Sequence, residues 1–255
     1  MSNVRTPAIV ACCLWAAMSN GPMLGAQSRA AARGPALSLR VTRQADGVRV
    51  SLDAERASLR DVGDSLARQL RIPVIVGASL AGEVVSANFS DLALEAALPL
   101  LAPRVIIDQE LRQDSPAAPQ ALYLLTFSDP EPASVVNQRA GAQGLFLEGN
   151  TEDTGASRDS DPLQVSYARG LLTVNAQQQR LADVVTVIAD VLGVPLNAQG
   201  AGEGIVDVIL PPMSPADLLP RLSPAVRTLV RFDLNSAERS VLRITLAPAG
   251  SNRAR

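Results

Sequence analysis

The chemistry open to this chain is that of carboxylates, hydroxyls and arginine. Histidine does not occur, and because lysine is also absent, all 23 basic residues are arginine. The two cysteines, Cys12 and Cys13, sit side by side near the amino terminus. Ser-His-Asp and Cys-His nucleophilic sites need an imidazole base. A Walker phosphate loop, Schiff-base chemistry and Ser-Lys mechanisms need a lysine. Zinc, haem and iron–sulfur centres built on His or Cys need ligands that are missing. What remains is a pair of positioned acids, as in glycoside hydrolysis, or an oxygen-ligand metal site.

Two sets of acids fit those descriptions by type. Asp61 and Asp183 recur at matching places in the chain, and a carboxylate hydrolase acting on envelope polysaccharide would draw on them. Both fall in the first turn of an expected helix, where a carboxylate favours the helix dipole, which is a structural role. Sugar-stacking aromatics are scarce, with one Trp and two Tyr, and aromatics are only 3% of the chain. The second set is Glu148, Glu152, Asp153, Asp159 and Asp161. It lacks the alternating Asp spacing and the glycine of a calcium loop, so it reads as a solvated charge run. Asn88-Phe89-Ser90 matches a glycosylation sequon but spans an expected strand. No catalytic, cofactor-binding or metal-binding residue is therefore assigned, and no enzymatic activity is expected.

The elements around these residues are easier to read. Arg5 is the only charge in residues 1–26, the uncharged run Pro7–Met18 follows, and Met23-Leu24-Gly25-Ala26 supplies a small-residue end. That order is a secretory signal peptide cut between Ala26 and Gln27; Ser28-Arg29-Ala30 offers a competing cut. The apolar run is short of the ~20 residues needed to span a bilayer. Ile9-Val10-Ala11-Cys12 looks like a lipoprotein acceptor, but its apolar lead is short. The mature chain would carry 22 arginines against 25 acidic residues. It offers no basic stripe for nucleic acid, and no later apolar run is long enough for a transmembrane segment.

Leu37, Leu39 and Val41 alternate with polar residues, as do Val48, Val50 and Leu52, around Gln44-Ala45-Asp46-Gly47; this predicts a hairpin with a four-residue loop. Leu59, Val62, Leu66 and Leu70 then fall on one helical face, entered through Ser58 and Asp61 in a capping-box spacing. Strands are expected at Ile72–Val76, Val84–Phe89, Arg104–Asp108 and Ala121–Phe127. A second helix with Leu94, Ala97, Leu98 and Leu101 inward lies among them. Residues 128–166 hold seven acidic residues against Arg139 and Arg158 and read as a flexible acidic linker, with a brief strand at Leu145–Leu147.

The order then restarts. Leu172–Ala176 matches Val50–Ala54 at a spacing of 122, and Leu181, Asp183 and Val184 fall on Leu59, Asp61 and Val62. Gly193-Val194-Pro195-Leu196 falls on Arg71-Ile72-Pro73-Val74, and after one deletion Leu219-Pro220 meets Leu98-Pro99 and Pro224 meets Pro103. Val241–Leu246 corresponds to Leu122–Phe127, and Ser214-Pro215 supplies a strong helix start. Prolines matching in two places across a single deletion point to a tandem duplication.

The first copy runs through Val50-Ser51-Leu52, Ser58-Leu59-Arg60-Asp61-Val62, Ile72-Pro73-Val74, Leu80-Ala81-Gly82 and Phe89-Ser90-Asp91-Leu92. It ends on Leu94-Glu95-Ala96-Ala97-Leu98-Pro99-Leu100-Leu101. This series resembles the short N-terminal domain shared by secretins and TonB-dependent transducers, well over 48–127 and more loosely over 170–247. The second copy departs from the pattern at Gly200–Gly204 and at Pro211-Pro212. The matching residues mark core and turn positions. The resemblance implies a periplasmic protein-binding module whose partner is secretin-type, TonB-type or inner-membrane machinery.

The expected fold class is α+β: two small βαββαβ-type modules with helices packed on short mixed sheets, joined by the acidic linker. The expected organisation is a signal peptide over 1–26, a flexible lead over 27–35, a first module over 36–127, the linker over 128–166, a second module over 167–247 and a tail over 248–255. The expected function is that of an exported, non-enzymatic interaction protein of the bacterial cell envelope, periplasmic and associated with the outer membrane, with no cofactor. The alternative is the envelope polysaccharide hydrolase.

Overall fold

A computed structural model describes residues 36–113, 115–135, 163–198 and 204–247, all within the unit Gly34–Arg255. The architecture is mixed α+β and mostly strand. The signal and its cut at Ala26 and Gln27, the strand expected at Leu145–Leu147, and the acids from Glu148 to Asp161 lie outside these residues.

The first half opens with β1 (Ala36–Gln44) and β2 (Gly47–Ser58), an antiparallel hairpin in the register Val41↔Val50. Leu37, Leu39 and Val41 pack toward the core, while Ser38, Arg40 and Thr42 are exposed. Pairing continues to Gln44↔Gly47. The turn is therefore Ala45-Asp46 alone, tighter than the four-residue loop expected, and Arg49 Nη2 donates to Asp46 Oδ2 across it at 2.8 Å. β2 leads straight into α1 (Leu59–Leu70). There the Asp61 N–H donates to Ser58 Oγ at 3.1 Å, which makes Ser58 the N-cap, and the Ser58 hydroxyl donates in turn to Asp61 Oδ2 at 2.7 Å, a side-chain bond in place of the backbone bond of a full capping box. Leu59, Val62, Leu66 and Leu70 are buried, as is Gly63. A Cβ on Gly63 would stand 2.7 Å from Val76 Cγ2, so only glycine lets β3 (Val74–Val76) approach the helix this closely.

β4 (Val84–Ala93) runs four residues past its expected end. The second helix is short: α2 (Leu94–Ala97) passes into a 3-10 turn, Leu98–Leu100, at Pro99, where a proline removes the backbone donor an α-helix needs. Leu94, Ala97, Leu98 and Leu101 are nevertheless the buried residues. β5 (Arg104–Arg112) and β6 (Ser115–Leu125) complete this half. β6 stops at Leu125, leaving Phe127, expected at the strand end, 70% exposed.

The second half begins earlier than expected. β7 (Leu163–Ala168) begins inside the stretch read as linker, 128–166, and takes up its last four residues. It turns through Arg169 and Gly170, both at positive φ, into β8 (Leu171–Arg180). α3 (Leu181–Leu192), β9 (Leu196–Ala198), β10 (Ile205–Met213), α4 (Pro215–Leu222), β11 (Val226–Asp233) and β12 (Glu238–Leu246) follow. Ser214 caps α4 by accepting from the Asp217 N–H at 3.2 Å, and Pro215 takes the first helical position.

Backbone details recur at the same places in both halves. Left-handed residues stand at Arg56 and Gln178, and again at Arg71 and Gly193, where α1 and α3 end. β4 bulges between Phe89 and Leu92 opposite β2, and β10 bulges between Leu210 and Met213 opposite β8. The two bulged residues are Ser90-Asp91 in one half and Pro211-Pro212 in the other. The proline pair that departs from the family pattern thus sits where a strand tolerates residues without a backbone donor.

The strands form two three-stranded sheets, β1-β2-β4 and β10-β8-β7, and one six-stranded sheet in the order β3-β6-β5-β11-β12-β9. The six-stranded sheet belongs to both halves, because β5 and β11 pair antiparallel along their edges. The orientation of the halves, which the sequence leaves open, is set by that pairing. Val105, Ile107, Leu122 and Leu124 face one core, and Val226, Ile244 and Leu246 face the other. Register places both cores on the same side of the sheet.

Leu66 and Ile188 hold equivalent positions on α1 and α3, and both are fully buried. Truncating either to alanine is expected to cost ~2–5 kcal/mol. Since one sheet spans both halves, each variant should shift a single common unfolding transition. Thermal melts followed by circular dichroism test this, and two separate transitions would mean the halves unfold independently.

Candidate interaction site

The face of the six-stranded sheet away from the two cores carries a buried polar cluster at the β5–β11 seam. Asp108 and Arg231 are register partners across it, exposed to only 0% and 6%. The guanidinium grips the carboxylate with two bonds, Nε to Oδ1 at 2.8 Å and Nη2 to Oδ2 at 3.2 Å. Tyr123 on β6 donates its hydroxyl to Asp108 Oδ2 at 2.9 Å, and Ser134 donates to the same oxygen at 2.8 Å. Arg231 Nη1 reaches the Pro132 carbonyl at 2.6 Å and Glu131 Oε1 at 3.1 Å. The guanidinium also lies 5.2 Å from the centre of the Tyr123 ring, within cation–π range. The segment after β6 is thereby strapped across the sheet. Thr126 and Ser79 hold Asp129 at its start, and the Val135 N–H donates to the Tyr123 hydroxyl at 3.2 Å near its end. Ile106, Ala121, Tyr123 and Leu125 are buried beneath it.

The electrostatics of this cluster are those of a clamp. Burial pushes the Tyr123 phenol above its ordinary value, opposed by the Val135 N–H and reinforced by the charge of Asp108. Burial pulls the Arg231 guanidinium down, but its bonds and charge pairing with Asp108 outweigh this and raise it overall. The backbone N–H of Thr126, and then its hydroxyl, hold the Asp129 carboxyl below the usual carboxylate range. Further along the seam Arg104 Nε meets Asp233 Oδ2 at 3.0 Å, and the Val105 N–H donates to Asn235 Oδ1 at 3.1 Å.

A second feature lies between β1 and α1. The side chain of Gln69 reaches the free edge of β1, where its Oε1 accepts from the Val41 N–H at 2.9 Å and its amide donates to the Leu39 carbonyl. Arg43 Nη2 ties the same edge to the Leu70 carbonyl at 2.9 Å. The helix therefore stands in for a neighbouring strand, one way of blunting an exposed edge. Toward the start of β1 the cover ends in a groove of about 660 Å³ lined by Leu37, Ala57, Asp61, Asp64, Ser65 and Arg68. It continues into a smaller hollow of about 360 Å³ along Ser38 and Leu39. The Leu39 N–H and Leu37 carbonyl, the next outward pair on this edge, have no partner among the described residues.

The candidate acids separate into distinct roles. Asp61 is committed to the Ser58 cap, although it also lines the groove. Asp183 is exposed in the first turn of α3, whose N-cap, Arg180, makes no side-chain cap bond. Asn88 is on the exposed face of β4, its amide 3.3 Å from Asp53 Oδ1. Among the described residues no three His, Cys, Asp or Glu side chains gather as a metal site, and no helix is long and apolar enough to cross a membrane. The seam residues Asp108, Tyr123 and Arg231 were not singled out from the sequence. The available signal was a charge inside an otherwise apolar strand, in Val105-Ile106-Ile107-Asp108 and Leu229-Val230-Arg231-Phe232. Comparisons with family models, with curated proteins and with solved structures each return no match.

Removing one partner of a buried ion pair strands the other, so Asp108→Ala or Arg231→Ala should each cost ~3–5 kcal/mol. The double variant should cost less than the sum of the two. Urea denaturation of the three variants measures this, and strictly additive losses would show that the pair is not coupled. Tyr123 supplies a pH signature. A phenol whose folded pKa stands above its unfolded value contributes stability that is complete below about pH 10 and lost as pH rises through the folded value. In a Tyr167→Phe chain, whose one remaining tyrosine is Tyr123, tyrosinate absorbance should develop above that ordinary value. Titration at or below it would contradict the burial.

Proposed function

We propose that this chain is an exported, non-enzymatic docking protein of the bacterial envelope, built from two modules of the kind found at the N-termini of secretins and TonB-dependent transducers. The fold supports that reading in three ways. Each half places its helices between a three-stranded hairpin sheet and its share of the central sheet. The residues carrying the family likeness, Leu59, Leu66, Leu98 and Leu101, are core residues in the first half. The left-handed positions and strand bulges fall at corresponding places in the second.

The observation that carries the docking reading is the groove between β1 and α1. It has an apolar floor at Leu37 and Ala57 and charged walls at Asp61, Asp64 and Arg68. It also borders a strand edge that still offers a donor and an acceptor. That combination suits an extended protein segment, which gains main-chain hydrogen bonds from the edge and specificity from the flanking side chains. The partner is envelope machinery of secretin, TonB or inner-membrane type, and the site of action is the periplasm.

Two measurements on the full chain test this. Expressed in a Gram-negative host, it should appear in the periplasmic fraction with its amino terminus at Gln27, as intact mass would show. A photo-crosslinker in place of Arg68 should then give a discrete protein adduct that Leu37→Asp abolishes. Retention in the cytoplasm with residues 1–26 intact would defeat the export reading. Release of sugar from purified envelope glycan with no protein adduct would favour the hydrolase instead.

A further inference from the structure

The two halves treat the outer edges of their hairpin sheets differently. In the first half Gln69 occupies the edge of β1 at Val41 and Leu39. In the second half β7 is the edge strand, and among the described residues it pairs with β8 alone. The registers Val41↔Val50 and Tyr167↔Leu172, with Val50 and Leu172 equivalent, place Tyr167 where Val41 stands and Val165 where Leu39 stands. Their outward N–H and carbonyl have no partner among the described residues. The residue equivalent to Gln69 is Val191, and the residue equivalent to Ser65 is Val187. α3 packs against β7, but a valine can neither accept from the Tyr167 N–H nor donate to the Val165 carbonyl. The result is an uncapped strand edge flanked by exposed apolar side chains, Tyr167 at 47%, Val187 at 37% and Val191 at 41%.

We propose that this edge is the contact between two copies of the chain, joined antiparallel through β7. Three observations favour a second copy as the occupant. β7 reads Leu-Gln-Val-Ser-Tyr-Ala, with no charge along its length, so a two-fold pairing sets no like charges opposite each other, which would be destabilising. A two-fold axis normal to the sheet also brings the two α3 helices to the same side. Val187 and Val191 of each copy can then bury one another, as a self-complementary interface requires. Finally, the chain already joins its own halves in this manner. At the β5–β11 seam Gln109 pairs with Val230, the residue 121 positions on and its counterpart in the repeat, so that seam is itself a local two-fold between edge strands. Pairing through β7 repeats the same construction at the strand equivalent to β1, where the helix carries Val191 in place of the capping amide of Gln69. This inference is independent of the periplasmic reading.

The test is sedimentation of residues 27–255, which hold the whole compact unit Gly34–Arg255, from about 1 to 200 μM, beside Val191→Gln, which restores the capping amide found in the first half. Val191 is exposed on a helix and glutamine is a good helix former, so this variant should keep its fold, as circular dichroism would verify. The wild type should dimerise within that range, and Val191→Gln should weaken the dimer by at least about tenfold. Hydrogen exchange at the Val165 and Tyr167 amides should slow as wild-type concentration rises and stay fast in the variant. Gln69→Val, which opens the β1 edge, should add higher oligomers. A wild type that is monomeric throughout overturns the proposal. So does a dimer whose affinity and amide protection do not respond to Val191→Gln.

Discussion

The pairing of Asp108 with Arg231 across the β5–β11 seam is the constraint on which the rest of the architecture depends. Two edge strands can pair in several registers, and sliding by one residue exchanges the faces of every side chain on the moving strand. Here a slip would carry Arg231 off the polar face and toward the side where Ile107 and Phe232 are partners. A carboxylate buried without its cation is far more costly than a mismatched pair of aliphatic residues. The ion pair therefore contributes less as net attraction than as a penalty against other registers. Because β5 and β11 belong to different halves, choosing their register fixes how the two cores lie side by side on one sheet.

The clamp also breaks the symmetry of the repeat. With Gln109 opposite Val230, the counterpart of the Asp108–Arg231 pair is Glu110 opposite Leu229, which is not an ion pair. Glu110 bonds instead to Arg112 on its own strand. The strap is correspondingly one-sided: Glu131 and Pro132, which follow β6, bond Arg231, and Ser134 bonds Asp108. A buried ion pair is worth keeping only where its remaining donors and acceptors are satisfied. The strap supplies those partners on one side of the local two-fold, and the strands carry different residues at equivalent places, Asp108 opposite Arg231 and Glu110 opposite Leu229.

The sequence made the core and caps legible because those features are local. The helical spacing of Leu59, Val62, Leu66 and Leu70, the capping pair Ser58 and Asp61, and the cap at Ser214 all report interactions within a few residues. Boundaries that depend on distant partners were misplaced. The first four residues of β7, 163–166, read as linker because they follow an acidic stretch, yet β8 recruits them through Val165↔Val174. β5 runs past Asp108 to Arg112 because β11 pairs with its end at Leu111↔Thr228. Pro211-Pro212 reads from the sequence as a departure from the pattern of the first copy, and the bulge that holds the two prolines shows only in the register with β8. The seam was hidden for the same reason: Asp108 and Arg231 are 123 residues apart, and no periodicity relates an acid on one strand to a base on another.

The two halves bury similar cores and differ in how the strands at their edges are closed. A strand edge is a row of unmet donors and acceptors, and a fold must pair it, cover it or leave it available. The central sheet uses pairing, with β5 against β11 and only three-residue strands, β3 and β9, left at its margins. The first hairpin sheet uses partial cover, since Gln69 satisfies one donor–acceptor pair and stops short of Leu37. Among the described residues the second leaves the edge of β7 unpaired beside Val187 and Val191. One substitution at a helical surface position, glutamine in one copy and valine in the other, changes the edge without touching the core. The two halves can separate their surfaces in this way because each buries its own set of leucines and valines, which leaves the residues at the strand edges free to differ.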